Sequence, residues 1–155
     1  ESVEAFDSDD LTVKNFNREE CGYSEKNSVF KKNKNLIVLS AALNLKYGDK
    51  EEIKKKMKEH WDMRKEKHPL NFPSAGSMFV NNPPNPPSSY LIEKAGLKGL
   101  RVGGAQVSEK HAGFIVNLGN ATCKDVLELV EDIKIKVNEK FGIDLEQEAQ
   151  IIKNK

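Results

Sequence analysis

Residues 122–142, TCKDVLELVEDIKIKVNEKFG, carry the strongest helix signal in this sequence of 155 residues. Their apolar residues recur at intervals of three and four, which places them on one face of an amphipathic helix: Val126, Leu129, Val130, Ile133 and Val137. Thr122 and Asp125 have the spacing of a capping box, which satisfies free amide hydrogens at a helix start, and Gly142 is a typical helix end. The pattern predicts one helix over this stretch.

The residues before this helix predict two short strands and a short helix. Leu100–Val102 and Phe114–Val116 are largely apolar, as in strands, and lie on either side of a break at Gly103-Gly104. Ser89 is expected to cap a short helix through its hydroxyl oxygen, and Gly96 to follow the end of that helix.

A longer helix is predicted further upstream. Asp49 and Glu52 have the spacing of a helix start, and this helix must end before Pro69. All six prolines of the chain lie between Pro69 and Ser89, where they remove backbone donors. This connection is therefore predicted to be irregular.

The first 48 residues are predicted to be almost entirely strand. Val3–Phe6 and Leu11–Val13 flank the turn-forming cluster Asp7–Asp10, which indicates a hairpin. Asn35–Tyr47 alternates with a period of two and is apolar on one side throughout and increasingly polar on the other, as in a strand that leaves a core for its edge. Runs of strands with a few helices predict an α+β fold with an antiparallel-rich sheet and packed helices.

Composition and charge exclude several classes of function. The chain has 25 Lys+Arg and 24 Asp+Glu, so its net charge of +1 gives no reason to expect nucleic acid or an anionic membrane as partner. The longest apolar run, Leu36–Leu39, is far shorter than the ~20 residues of a membrane-spanning helix. Cys21, Cys123 and the three histidines have no metal-ligand spacing, so no metal site is expected. Glu1–Glu4 does not resemble a signal peptide, and we expect a cytoplasmic protein.

Pro73–Ser77 is the most unusual local feature. Small residues surround a hydroxyl group, so the loop either is a structural turn or lets a ligand approach the backbone closely. It is not a nucleophile elbow, and the glycines of residues 96–104 match neither the dinucleotide fingerprint nor the P-loop. The residues alone predict an α+β domain with a candidate ligand loop.

Four blocks of sequence follow one another in order along the chain: Pro73–Phe79, Leu91–Gly99, Val102–Ser108 and His111–Asn117. Together they closely resemble the UDP-N-acetylenolpyruvoylglucosamine reductase family, flavoenzymes that complete UDP-N-acetylmuramic acid for peptidoglycan. Leu145–Glu148 is similar to the closing motif of the family, and Glu19–Cys21 and Ser28–Lys32 also fit. The resemblance therefore extends over essentially the whole chain.

The resemblance implies a division of the chain and a missing partner. Residues 1–48 correspond to the tail of a flavin-binding domain, 49–143 to a substrate-binding α+β domain, and 144–155 to a last strand that returns to the flavin-binding part. Members of the family have an N-terminal flavin-binding half before the residues seen here. We therefore expect the chain alone to bind little FAD, and its exposed sheet to favour self-association.

The chemistry that the resemblance implies uses FAD and NADPH to reduce UDP-N-acetylglucosamine enolpyruvate. The flavin passes a hydride to the substrate, and Ser77 corresponds to the serine that protonates the neighbouring carbon. A serine hydroxyl is a poor acid in water and needs a desolvated, preorganised site. Glu148 corresponds to the acid that stabilises the enol intermediate, and Lys67 to a lysine that contacts the nucleotide sugar. Asn81 corresponds to a substrate-facing asparagine, and His111 lies near a family substrate contact.

Other interpretations of these residues stay open. Lys67 and Glu148 can be ordinary surface charges, and Asn81 a turn residue. Several positions depart from the family pattern, among them Glu25, Val80, Asn82, Ser88–Tyr90 and Gln150. These departures favour a second hypothesis, in which the chain is an incomplete, catalytically inactive module that binds a nucleotide sugar or another protein.

Overall fold

The computed structural model describes residues 1–152, and within them it has the predicted α+β fold with antiparallel sheets. The elements, in chain order, are β1 Ser2–Asp7, β2 Thr12–Asn17, α1 Val29–Lys32, β3 Leu36–Ala42, α2 Lys50–Lys67, β4 Ser74–Ser77, α3 Ser88–Lys94, β5 Arg101–Val102, β6 Ala105–Val107, β7 Phe114–Asn117 and α4 Cys123–Phe141. The chain forms two units: Glu1–Glu52, and a second that starts at Ile53. No helix in the described part combines the length and the apolar character needed to cross a membrane.

The first unit is built on a three-stranded antiparallel sheet in the order β2-β1-β3. The predicted hairpin is confirmed, and its turn is held by the ammonium group of Lys14, which lies 2.7 Å from Asp7 Oδ2 and 2.6 Å from Asp10 Oδ2. The hydrogen bond from Lys14 lowers the pKa of Asp10 to about 2. Local charge pairing therefore stabilises the connection between β1 and β2.

Burial along the third strand is confined to its first residue. β3 ends at Ala42, and only Leu36 of the strand is buried, while Ile37 and Leu39 are each 53% exposed. The reason is that the sheet is a single layer, with only the four-residue helix α1 beside β3. The assignment of residues 1–48 to a flavin-binding domain and of 49–143 to a substrate-binding domain stays a prediction.

The second unit has a four-stranded antiparallel sheet in the order β4-β7-β6-β5. One face of this sheet, which we call the inner face, packs on α3 and α4 to form the core. The buried residues of that core include Leu91, Ile92, Ala105, Val107, Ile115, Leu129, Val130, Ile133 and Val137. Since side chains alternate along a strand, Gln106, Phe114 and Val116 point to the opposite, outer face.

Helix α4 has the predicted ends. Thr122 Oγ1 accepts a hydrogen bond from the Asp125 amide at 3.1 Å, and Asp125 Oδ2 accepts from the Thr122 amide at 3.0 Å. Gly142 ends the helix with a left-handed φ of 66°, which glycine adopts without strain. Asp125 Oδ2 also accepts from the Gly104 amide at 3.2 Å, so the capping box ties the helix to the turn between β5 and β6.

Two predictions for the proline-rich connection are wrong. Ser74–Ser77 forms strand β4, because β7 offers it an edge on which Ser74 pairs with Val116 and Ser77 with Phe114. Ser89 does not cap α3. The helix starts at Ser88, whose amide donates to the Asn81 side chain instead.

The end of the chain also differs from the predicted strand. Residues 144–152 form no regular strand, and their pairing consists of an isolated bridge between Phe79 and Gln147. The return of residues 144–155 to a flavin-binding part stays a prediction, and residues 153–155 lie outside the described part.

Candidate active site

Ser77 is the last residue of β4, which is an edge strand of the second sheet. Its cross-strand partner is Phe114, and partners in an antiparallel pair place their side chains on the same face. The next amide, that of Met78, donates to the Gly113 carbonyl at 2.9 Å. Gly76 has a φ of 86° with open space at the Cβ position, so its glycine is required by conformation and not by packing. The exposed hydroxyl of Ser77 therefore sits on a backbone fixed on both sides.

Glu148 is brought next to this strand by backbone pairing. Its amide donates to the Met78 carbonyl at 2.9 Å, and the Val80 amide donates to the Glu146 carbonyl at 2.9 Å. Glu148 itself is half-buried. The structure thus places the segment of Glu148 beside the residue that follows Ser77, although the two positions are 71 apart in sequence (148 − 77).

His111 and His68 flank Phe114. The ring centroids of His111 and His68 lie 4.9 and 5.1 Å from that of Phe114, and 5.5 Å from each other. His111 Nδ1 accepts a hydrogen bond from the Gly113 amide at 3.1 Å. Burial, and next the neighbouring His68, lower the pKa of His111, so a neutral ring is favoured. These rings form an aromatic wall beside the cross-strand partner of Ser77.

His68 is a residue that sequence reasoning missed. Its Nδ1 atom is buried without a hydrogen-bond partner among the described residues. The only sequence signal was its position directly after Lys67. Lys67 is exposed and is the last residue of α2. The structure therefore brings Lys67 and His111 to the same region through His68.

A cleft of about 440 Å³ opens between the outer face of the sheet and the residues around the end of α2. Its lining includes Lys65, Phe72, Gln106, Glu109, Lys110 and Val116. Lys110 Nζ donates to the Lys65 carbonyl oxygen and so closes one side of the cleft. The lining combines two ammonium groups with the carboxylate of Glu109 and the aromatic ring of Phe72, so it is polar with a flat apolar surface. The cleft joins segments 45 residues apart, which no local sequence pattern could have shown.

Asn81 is placed at the start of α3. Its Oδ1 accepts from the Ser88 amide at 3.0 Å and from the Ser88 hydroxyl at 3.2 Å. The same hydroxyl lies 3.3 Å from the Phe79 carbonyl. Asn81 is exposed and lies four residues after Ser77, beyond the bridge between Phe79 and Gln147.

Comparison with known proteins identifies the family. The model for UDP-N-acetylenolpyruvoylglucosamine reductase, C-terminal domain, matches residues 68–152, which contain the four resemblance blocks. The chain belongs to this family. Reductases of the same name from Fervidobacterium nodosum and Caldanaerobacter subterraneus are each 48% identical to it, over 97% and 100% of this chain.

A solved structure gives the same result. The crystal structure of UDP-N-acetylenolpyruvylglucosamine reductase from Thermus caldophilus is 40% identical and superposes with a TM-score of 0.77 over 96% of this chain. The chain covers 52% of that structure, and 48% and 50% of the two relatives above. It therefore spans about half the length of the reductases that it matches.

A dinucleotide cradle uses glycines where the backbone approaches the phosphates. Gly22 in the first unit has a left-handed φ of 56° and open space at its Cβ position. Among the described residues of this unit we assign none to the cofactor.

Proposed function

We propose that this chain supplies the substrate-binding half of an enzyme that reduces UDP-N-acetylglucosamine enolpyruvate to UDP-N-acetylmuramate in peptidoglycan synthesis. One observation carries the proposal: in a member of this family, the Glu148 amide pairs with Met78, directly after Ser77. FAD and NADPH would be bound mainly by polypeptide outside this sequence, in a cytoplasmic enzyme. Residues of this chain would bind the substrate and deliver its proton.

In this proposal Ser77 Oγ gives a proton to the substrate carbon next to the one that is reduced. The hydroxyl is exposed in this chain, so the bound substrate and the rest of the enzyme must exclude water from it before it can act as an acid. Its position is fixed by backbone pairing on both sides, which favours proton delivery at one carbon. Glu148 would accept a hydrogen bond from the hydroxyl of the enol intermediate.

Lys67, Asn81 and His111 would hold the substrate. Lys67 is an exposed cation at the end of α2 and suits phosphate oxygens of the nucleotide. His111, which burial keeps neutral, adds a flat surface without adding charge. The cleft of about 440 Å³, which is lined by chain neighbours of Lys67 and His111, is large enough for part of a nucleotide sugar.

Replacing Lys67 tests the substrate part of the proposal. In the full-length protein that contains this chain, Lys67→Gln should raise the KM for UDP-N-acetylglucosamine enolpyruvate about tenfold or more, because a hydrogen bond to a charged group is lost. Lys56→Gln, on an exposed position of the same helix, is the matched control and should leave KM unchanged. An equal effect of both variants would contradict a specific role of Lys67.

The second hypothesis, an inactive binding module, is favoured by one observation. Val80 stands where the family resemblance suggests a basic residue, and it is half-buried and uncharged. Assay of the full-length protein with NADPH and the enolpyruvate substrate separates the two functions. Formation of UDP-N-acetylmuramate supports the reductase. Tight binding of the nucleotide sugar without product supports the module.

A further inference from the structure

Ser88 makes a group of hydrogen bonds that the proposed chemistry does not use. It is the first residue of α3 and is only 4% exposed. Its amide and its hydroxyl both donate to Asn81 Oδ1, at 3.0 and 3.2 Å, and the hydroxyl lies 3.3 Å from the Phe79 carbonyl oxygen. A hydroxyl has one proton, so these two acceptors share it.

These bonds determine which way the Asn81 side chain faces. A backbone amide can only donate, so the atom that it meets must be the amide oxygen of Asn81 and not its nitrogen. The Nδ2 group, with its two donors, is consequently turned away from α3. Asn81 is exposed, so these donors are accessible to a ligand.

We propose that Ser88 is a positioning residue that holds the Asn81 carboxamide in one orientation, so that Asn81 offers two N–H donors to an acceptor on the substrate. The inference rests on the proposed function, in which Asn81 contacts the nucleotide sugar. The substrate atom that these donors meet must be a hydrogen-bond acceptor, such as a phosphate or carbonyl oxygen. A hydrogen-bond donor of the substrate would need Asn81 Oδ1, which already faces Ser88. The shared proton also joins Asn81 to Phe79, two residues beyond Ser77, which links the binding contact to the strand of the proton donor.

The test is a double-mutant cycle in the full-length protein, with UDP-N-acetylglucosamine enolpyruvate as substrate. Ser88→Ala keeps the backbone donor but removes the hydroxyl, and it should raise KM roughly 2- to 10-fold, the effect of one hydrogen bond, with kcat changed less than about twofold. In an Asn81→Ala background, Ser88→Ala should raise KM no further. Ser89→Ala, one position along the same helix turn, is the matched control and should not change KM.

Asn81→Asp examines the orientation separately and does not require a change at Ser88. The carboxylate keeps an acceptor for Ser88 but replaces the two donors with an anionic oxygen. If those donors face a phosphate or carbonyl oxygen, Asn81→Asp should raise KM more than Asn81→Ala does. An Asp variant that binds as well as the natural protein would overturn the inference.

The outcomes distinguish this inference from the function on which it rests. If Asn81→Ala raises KM but Ser88→Ala does not, or if the two effects simply add, Ser88 does not act through Asn81 and the inference is wrong. If Asn81→Ala leaves KM unchanged while Lys67→Gln raises it, the substrate contact of Asn81 fails and the inference falls, but the proposed function stands. Thermal unfolding of each variant checks that its fold is intact. Should Ser88→Ala not fold, Ser88→Cys, a near-isostere with a weaker donor, should raise KM in the same direction, and an unchanged KM in that variant would overturn the inference.

Discussion

Replacing Ser77 with alanine separates a chemical role of this hydroxyl from a structural one. Ser77 is exposed, and its strand is held through backbone atoms that alanine keeps. We therefore expect the free energy of unfolding to change by less than about 0.5 kcal/mol, as for an ordinary surface substitution. General acid catalysis contributes about 10²–10⁴-fold, so kcat of the full-length enzyme should fall by at least that factor. Ser77→Cys should keep more activity than Ser77→Ala, because a thiol can also donate a proton.

The assay is rapid mixing of the full-length protein in two steps. Oxidation of NADPH alone should proceed at the natural rate in Ser77→Ala, since no substrate carbon is protonated in that step. Conversion of the enolpyruvate substrate should slow by the factor above. Ser74→Ala, an exposed serine in the same strand, is the matched control for both steps. A natural rate of substrate conversion in Ser77→Ala would refute the role of Ser77 as proton donor.

Three further predictions concern stability and assembly. Ile133→Ala, at a core position only 1% exposed, should destabilise the second unit by about 2–5 kcal/mol in denaturant titration, whereas Ile135→Ala, 54% exposed, should have little effect. The pKa of Asp10 is lowered from its ordinary value of 3.8 to about 2, so its pairing with Lys14 stabilises the folded first unit at any pH above 3.8. This contribution should be lost as the pH falls towards about 2. Circular dichroism over that range should show a shallower pH dependence for Lys14→Met. The purified chain alone should be colourless and should self-associate in light scattering; stoichiometric flavin absorbance or a strict monomer at high concentration would contradict this.

Elements with local signals were predictable from the sequence. The ends of α4 follow from Thr122, Asp125 and Gly142, whose interactions lie within one or two helical turns of each residue. The first hairpin likewise follows from a turn cluster between two apolar stretches, and its register is set by that short connection. In both cases the residues that determine the structure are neighbours in the chain.

Elements that depend on distant partners were not predictable. Strand β4 was missed because its small residues and the preceding Pro73 argue against a strand, and only pairing with β7, about 40 residues away, overrides them. The exposure of β3 could not be read from its alternation, because a periodic pattern shows which side is apolar but not what covers it. The candidate site residues came from the family resemblance, and the contacts of Asn81 with Ser88 and of His68 with His111 emerged only from the fold.

The two faces of the second sheet divide stability from the proposed chemistry. Ala105, Val107 and Ile115 point inward and pack with α3 and α4, so the core is complete without any candidate site residue. The alternate residues of the same strands point outward, towards the cleft and the histidine pair. Substitutions of exposed candidate residues such as Ser77 and Lys67 can therefore change ligand binding at little cost in folding free energy. The function of this chain must therefore be tested by substrate conversion and not by stability.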